Sequence, residues 1–110
     1  MSNLTVDTLT NQDVQLAKAW VHLNGTGVIS IYSSFGVDSI TDSSTGKYVA
    51  NLTTSQLDTG FCRHFSCNSG FLASEDDTVL SVSTVGVRVT NPSTGASTDN
   101  NRVSISILSN

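Results

Sequence analysis

The chain is punctuated by turn chemistry at roughly eight-to-twelve-residue intervals, and short β-prone segments fill the gaps. That rhythm constrains the fold more than any other feature. Alternating or β-branched runs occupy 19–23, 28–33, 47–53, 61–67, 79–83, 85–90 and 103–108. Residues 35–42 read as a bend followed by a short strand. Asn24-Gly25-Thr26-Gly27 marks a hairpin, because Asn-Gly tolerates positive φ at both central positions of a two-residue turn. Residues 43–46 mark a second turn, and 55–60, 68–78 and 91–101 read as polar loops. The segment from Leu16 to Asn24 contains helix formers, but its second half alternates, so a strand is expected there. The predicted fold is all-β: an antiparallel β-sandwich or barrel of about eight strands.

Composition narrows the function classes. Only 13% of the residues are charged, against ~25% in an average domain. Ser, Thr and Asn supply the missing polarity, which argues against a helical bundle, whose solvent faces need Lys and Glu. A net charge of −4 with five Lys plus Arg makes a phosphate-binding surface improbable, so no nucleic-acid partner is expected. No apolar run approaches the ~20 residues of a membrane span, and the first residues lack the pattern of a signal peptide. At 110 residues the chain is expected to form a single domain, with a thin core. Two cysteines cannot make a disulfide-dense scaffold, so self-association is the expected remedy. Residues 1–16, with the alternation Leu4-Thr5-Val6-Asp7 and a polar continuation, read as an attachment arm with one short strand; 17–110 is the domain proper.

One stretch carries a longer pattern. Ala17-Lys18-Ala19-Trp20-Val21-His22-Leu23-Asn24-Gly25-Thr26-Gly27 resembles the opening of a domain found in bacteriophage tail-fibre-like proteins, notably of marine and cyanobacterial phages. Val28-Ile29-Ser30-Ile31, Ser34-Phe35-Gly36-Val37-Asp38-Ser39-Ile40-Thr41-Asp42 and Gly46-Lys47-Tyr48-Val49-Ala50-Asn51-Leu52-Thr53-Thr54 are similar to its continuation, in order and spacing. Arg102 to Ile107 is similar to its closing strand, whereas 55–61 depart from the family's Pro-Asp/Asn-aromatic stretch. The resemblance implies a virion component, assembled in host cytoplasm and forming a homotrimer. In longer relatives the domain follows a stem. The shortness of this chain suggests a stand-alone spike, knob or head-decoration protein as readily as a fibre.

Candidate chemistry is sparse. Trp20, the sole Trp, is expected as a core anchor, with sugar stacking as the functional alternative. Phe35, Ile40, Tyr48 and Leu52 are expected in the core or at a protomer interface. Cys62, His64 and Cys67 have a metal-like spacing, but on a continuous strand Cys62 and His64 share a face and Cys67 takes the other. A 62–67 disulfide would need a chain reversal. Buried free thiols are therefore expected, with no metal and no cofactor. A histidine on a three-fold axis could share a metal in a trimer; a satisfied or exposed His22 or His64 is the expected state. Glu75-Asp76-Asp77 reads as a solvated turn, since neighbouring carboxylates in one loop do not enforce a glycosidase separation. No nucleophile elbow, triad or phosphate loop occurs, so no catalytic residues are expected and the chain is not expected to be an enzyme.

Recognition is expected in loops on a rigid sheet scaffold: Asp58 and Thr59; Asn68, Ser69, Glu75, Asp76 and Asp77; Asn91, Ser93, Thr94 and Asn100. The expected function is a phage virion structural protein, a tail-fibre-like or surface-knob module contacting a host glycan or protein. The alternative is a head-decoration or tail accessory protein that binds only other virion proteins, through residues 1–16.

Overall fold

The computed structural model describes residues 17–56, 59–68 and 70–108. The proposed arm and the loop positions Asp58 and Ser69 lie outside the described residues. Eight strands follow one another: β1 (Ala17–Asn24), β2 (Ser30–Phe35), β3 (Val37–Ser44), β4 (Lys47–Leu52), β5 (Cys62–Cys67), β6 (Leu72–Glu75), β7 (Thr84–Thr90) and β8 (Val103–Leu108). They form two open four-stranded sheets, ordered β2-β1-β8-β5 and β3-β4-β7-β6, with every pairing antiparallel. The fold is thus sandwich-like and not a closed barrel, and no α-helix occurs among the described residues.

Period-two alternation builds the core. Ala19, Val21 and Leu23 of β1 and Val103, Ile105 and Ile107 of β8 point inward from the first sheet. Tyr48, Ala50 and Leu52 of β4 and Val85, Val87 and Val89 of β7 meet them from the second. The intervening side chains therefore face out. Ile40 of β3 and Phe65 of β5 pack partly buried against this core, and Phe61 closes it beside β5.

The chain changes sheets at Gly36, whose φ of 71° turns β2 directly into β3. A side chain there would strike the backbone carbonyl of Lys18 at 2.7 Å, so the switch packs tightly against β1. The strand directions place 25–29, 45–46, 68, 70–71 and 91–102 at one end of the sandwich, called here the upper end. Gly36, residues 53–56 and 59–61, and the segment 76–83 occupy the lower end; Thr53 N–H donates to Gly36 O at 2.9 Å and Gln56 N–H to Val82 O at 2.8 Å.

Several expectations need correction. The first hairpin is not a two-residue turn: Asn24 ends β1, β2 begins at Ser30, and in the loop between them only Gly27 has positive φ. Asn24 instead accepts from Thr26 N–H at 3.0 Å and Thr26 Oγ1 at 2.7 Å, a local turn that competes with tight hairpin closure. The apolar run 79–83 is not a strand; Asp77–Val79 is a 3-10 turn. The outermost strand β6 comes instead from within the expected loop 68–78. Its four residues pair with β7, and backbone hydrogen bonding outweighs their weak pattern. Trp20 is not a core anchor. Ala19 and Val21 take the inward positions, and a period of two then forces Trp20 outward, where it is 37% exposed. Phe35, 58% exposed, is likewise outside the core, while Tyr48 and Leu52 lie within it.

Candidate functional site

Among the described residues, the outer face of the β2-β1-β8-β5 sheet gathers three of the exposed aromatics, Trp20, Tyr32 and Phe35; Phe71 lies apart, before β6. Trp20 on β1 stands opposite Phe35 on β2 and Ser106 on β8, and Ser106 stands opposite His64 on β5. Residues directly opposite share a face, so Phe35, Trp20, Ser106 and His64 form one row across four strands. A second row runs Ser33, His22, Ser104 and Ser66. The register of β1 and β2 slips between His22 and Leu23, which leaves Tyr32 as the extra residue. Its ring lies 4.8 Å from that of His22, and the Arg102 guanidinium sits 5.7 Å above its centroid. The Tyr32 hydroxyl donates to Asn101 O at 3.0 Å, so this aromatic is held in place while half exposed.

At the lower end, Phe35 also forms a wall of an open groove of about 340 Å³, lined by Lys18, Gly36, Thr53, Thr54 and Gln56. One aromatic ring, two hydroxyls and a lysine without an adjoining carboxylate in that lining suit contact with an uncharged or weakly acidic surface. Sequence reasoning named Trp20 and Phe35 but missed their exposure. It also missed Tyr32, Ser104 and Ser106 as neighbours. The serines were findable: Ser104 and Ser106 alternate with Val103, Ile105 and Ile107, which points their hydroxyls outward.

The opposite sheet is clothed differently. Gly86 of β7 leaves a niche on its outer face, opposite Val49, and a Val79 methyl lies 2.3 Å from the point a Gly86 side chain would occupy. Asp76 N–H donates to Gly86 O at 2.9 Å, and Asp76 caps the 3-10 turn by accepting from Thr78 N–H and Thr78 Oγ1. Val49 is buried under this cover. One sheet therefore carries its own lid, and the other leaves its aromatics bare.

The loop residues expected to bind divide between the two ends. Asn68, Asn91, Ser93, Thr94 and Asn100 belong to the upper end, and Thr59, Asp76 and Asp77 to the lower. Asn100 is buried; its Oδ1 accepts from Asn68 N–H at 3.2 Å and Arg102 N–H at 3.0 Å. Asn68 also contacts Asn101 side chain to side chain. Asn91 accepts from Ser93 N–H at 2.9 Å, and Ser93 and Thr94 are exposed. Glu75 forms a two-point ion pair with Arg63, joining β6 to β5 across the open side of the sandwich. Arg63 also donates to Thr59 O at 3.1 Å and Phe61 O at 2.9 Å, which ties down the strand's approach.

Behind the upper end lies a polar plug centred on Tyr48. Its hydroxyl lies 2.9 Å from Gly25 O and 3.1 Å from Asp99 Oδ1, and its oxygen accepts from Asn100 N–H at 3.3 Å. Burial is the main cause that pushes this phenol up to about 12; the Asn100 N–H pulls the other way, and the Asp99 and Asp42 charges add to the rise. Asp99 Oδ1 also accepts from Gly46 N–H at 2.8 Å, and Gly25 N–H donates to Asn100 O at 2.8 Å. Two loops are thus locked to the Tyr48 side chain, and Asp99 ties in the turn at Gly46.

Cys62 and His64 share the outer face, with Sγ and Nε2 3.4 Å apart, while Cys67 is half-buried on the other face. Both thiols are free, and the expectation of burial fails for Cys62, which is exposed. A six-residue extended strand keeps the two sulfurs apart, so no bridge can close. Among the described residues no group of three His, Cys, Asp or Glu could hold one metal ion. Burial pushes the Cys67 thiol up. We expect a thiol reagent to label two cysteines without prior reduction, Cys62 at least tenfold faster than Cys67; peptide mass spectrometry over a time course checks the order. Comparison with models of known protein families, with curated proteins and with solved structures gives no match.

Proposed function

We propose that this chain is a structural and contact module of a phage virion, of the tail-fibre or surface-knob kind, which self-assembles, as a homotrimer, and acts by binding rather than turnover. The observation that carries the contact half of the reading is the bare aromatic face around Trp20, on a sandwich whose other sheet exposes hydroxyls and a filled niche at Gly86. The ordered resemblance of residues 17–54 supports the virion half. The carboxylates of 75–77 add support for a non-enzymatic role. Glu75 is engaged by Arg63 and Asp76 by the turn it caps, which leaves no opposed pair poised across a cleft.

Antiserum raised against the purified chain tests the reading on particles of the producing phage. Gold label at the tail tip or the particle surface is the expected result, and label confined to the head would favour the decoration role. Particles that neither label nor contain the chain by mass spectrometry would overturn the proposal. Deleting residues 2–16 is expected to abolish incorporation into particles while leaving the isolated protein at three times the mass of its chain.

A further inference from the structure

We infer that the outer face of the β2-β1-β8-β5 sheet is the surface on which a second copy of this chain docks. The inference rests on the self-assembling part of the proposed function and names the face and the residues that bring copies together.

The first argument is the placement of apolar mass. The buried core is built largely of Val, Ala, Leu and Ile, with Tyr48 and Phe61 as its buried aromatics. The bulkiest side chain, Trp20, lies outside it with Tyr32 and Phe35, at 37%, 50% and 58% exposure. At roughly 200 Å² per aromatic side chain, these three leave on the order of 300 Å² uncovered on one face. A small sandwich that exports its aromatics has lost the burial it most needs, and a second copy restores that burial.

The second argument is area. Four strands spaced ~4.8 Å apart, each about six residues long, project roughly 400 Å², and more once side-chain relief is counted. Supplied by each of two copies, this approaches the ~1,000 Å² total that a specific interface needs. The opposite sheet offers hydroxyls in place of rings: Ser39 and Thr41 are exposed on its outer face, and the 3-10 turn fills the niche at Gly86.

The third argument is charge. The chain carries nine Asp plus Glu against five Lys plus Arg, so carboxylates at an interface between copies would repel. The two rows across this face consist of Phe35, Trp20, Ser106 and His64, and of Ser33, His22, Ser104 and Ser66, with no carboxylate among them. Aromatics enriched and acids depleted is the composition of an interface core. The two cations beside it, Lys18 and Arg102, lie at opposite ends of the strands, with Arg102 drawn over Tyr32.

The test is the solution mass of the full chain by light scattering over a concentration series, with Trp20 emission recorded on the same samples. The sole Trp sits in the middle of the face and reports on it directly. We expect a mass of two or more times 11.6 kDa, with emission moving to shorter wavelength as assembly proceeds and returning on dilution. Ser33→Glu puts a carboxylate on the exposed face of every copy without touching the core. It is expected to weaken assembly at least tenfold, with an unchanged circular dichroism spectrum. Trp20→Ser combined with Phe35→Ser is expected to do the same. A one-chain mass at every concentration would overturn the inference, including the case in which Trp20 emission then responds to a host-type polysaccharide. Persistence of the oligomer in both variants would overturn it equally. Particle labelling is a separate readout, so the virion reading can fail while this one stands.

Discussion

Gly46→Ala is expected to remove most of the stability of this domain. Gly46 sits between β3 and β4 with φ of 70°, a region that costs a residue with a side chain about 1–2 kcal/mol. Space is the larger problem. A Cβ there would lie 2.6 Å from both the N and the O of Thr98, and 2.7 Å from Val89 O. These are backbone atoms in two other segments, both fixed: Val89 N–H donates to Gly46 O at 2.7 Å and Thr98 N–H to Val89 O at 3.0 Å. No rotamer change relieves such a contact. Strain and overpacking together come to about 4 kcal/mol, a large share of the ~5–15 kcal/mol a domain possesses. The expected fall in thermal midpoint is on the order of 20 °C. Gly27→Ala is the control. Gly27 has φ of 61° but nothing within 4 Å of a new Cβ, so only the backbone cost applies. Thermal melts of the two variants separate conformational strain from collision. A Gly46→Ala midpoint within a few degrees of the Gly27→Ala one would refute the account.

Tyr48→Phe is expected to cost about 1–3 kcal/mol at neutral pH, because it strips partners from buried backbone groups. Asn100 N–H loses its acceptor, and Gly25 O loses the one hydroxyl hydrogen that it shares with the exposed Asp99. The ring has to remain, since Gly25 is shaped around it; a Cβ on Gly25 would lie 2.3 Å from the Tyr48 ring. The variant therefore isolates the hydroxyl. Alkaline pH gives a second signature. The phenol stands at about 12 in the fold against 10.0 for the free side chain. Between those values the unfolded chain has released the proton and the folded chain still holds it. The stabilisation is thus fully present below pH 10 and is lost as pH rises toward 12. Phenylalanine has no proton to lose, so the gap between wild type and Tyr48→Phe should narrow across that window. Urea midpoints at pH 8 and pH 11.5 check it; a constant gap would mean the hydroxyl is not held as described.

Much of the sandwich was legible in the chain. β4 and β8 alternate cleanly, so their inward residues could be read without a structure: Tyr48, Ala50 and Leu52, and Val103, Ile105 and Ile107. The geometry of β5 was legible too, since a continuous strand must put Cys62 and His64 together and Cys67 apart. β6 was not. Leu72-Ala73-Ser74-Glu75 lacks a strong pattern and is a strand because β7 offers it a free edge. The run 79–83 failed for the converse reason. Its pattern suits a strand, but Val79 fills the niche above Gly86 and the chain then turns back into β7.

The candidate site divides along the same line. Alternation within β1 determines that Trp20 lies on the face opposite Ala19 and Val21, and it joins Trp20 to Lys18 and His22. Which face meets the second sheet depends on long-range pairing. With Trp20 inward, polar Lys18 and His22 would enter the core; with Ala19, Val21 and Leu23 inward, the core closes and the large ring is displaced to the surface. The distant loop positions at the upper end come together only in the fold, in large part around Tyr48, whose three hydrogen-bonding partners lie 23, 51 and 52 residues away. By itself, the sequence determined most of the strands, which residues share a face and the scarcity of charge, because those properties are local and periodic. Tertiary structure alone decided which face is bare, which loops meet and which thiol is open to solvent, because each depends on partners that strand periodicity does not name.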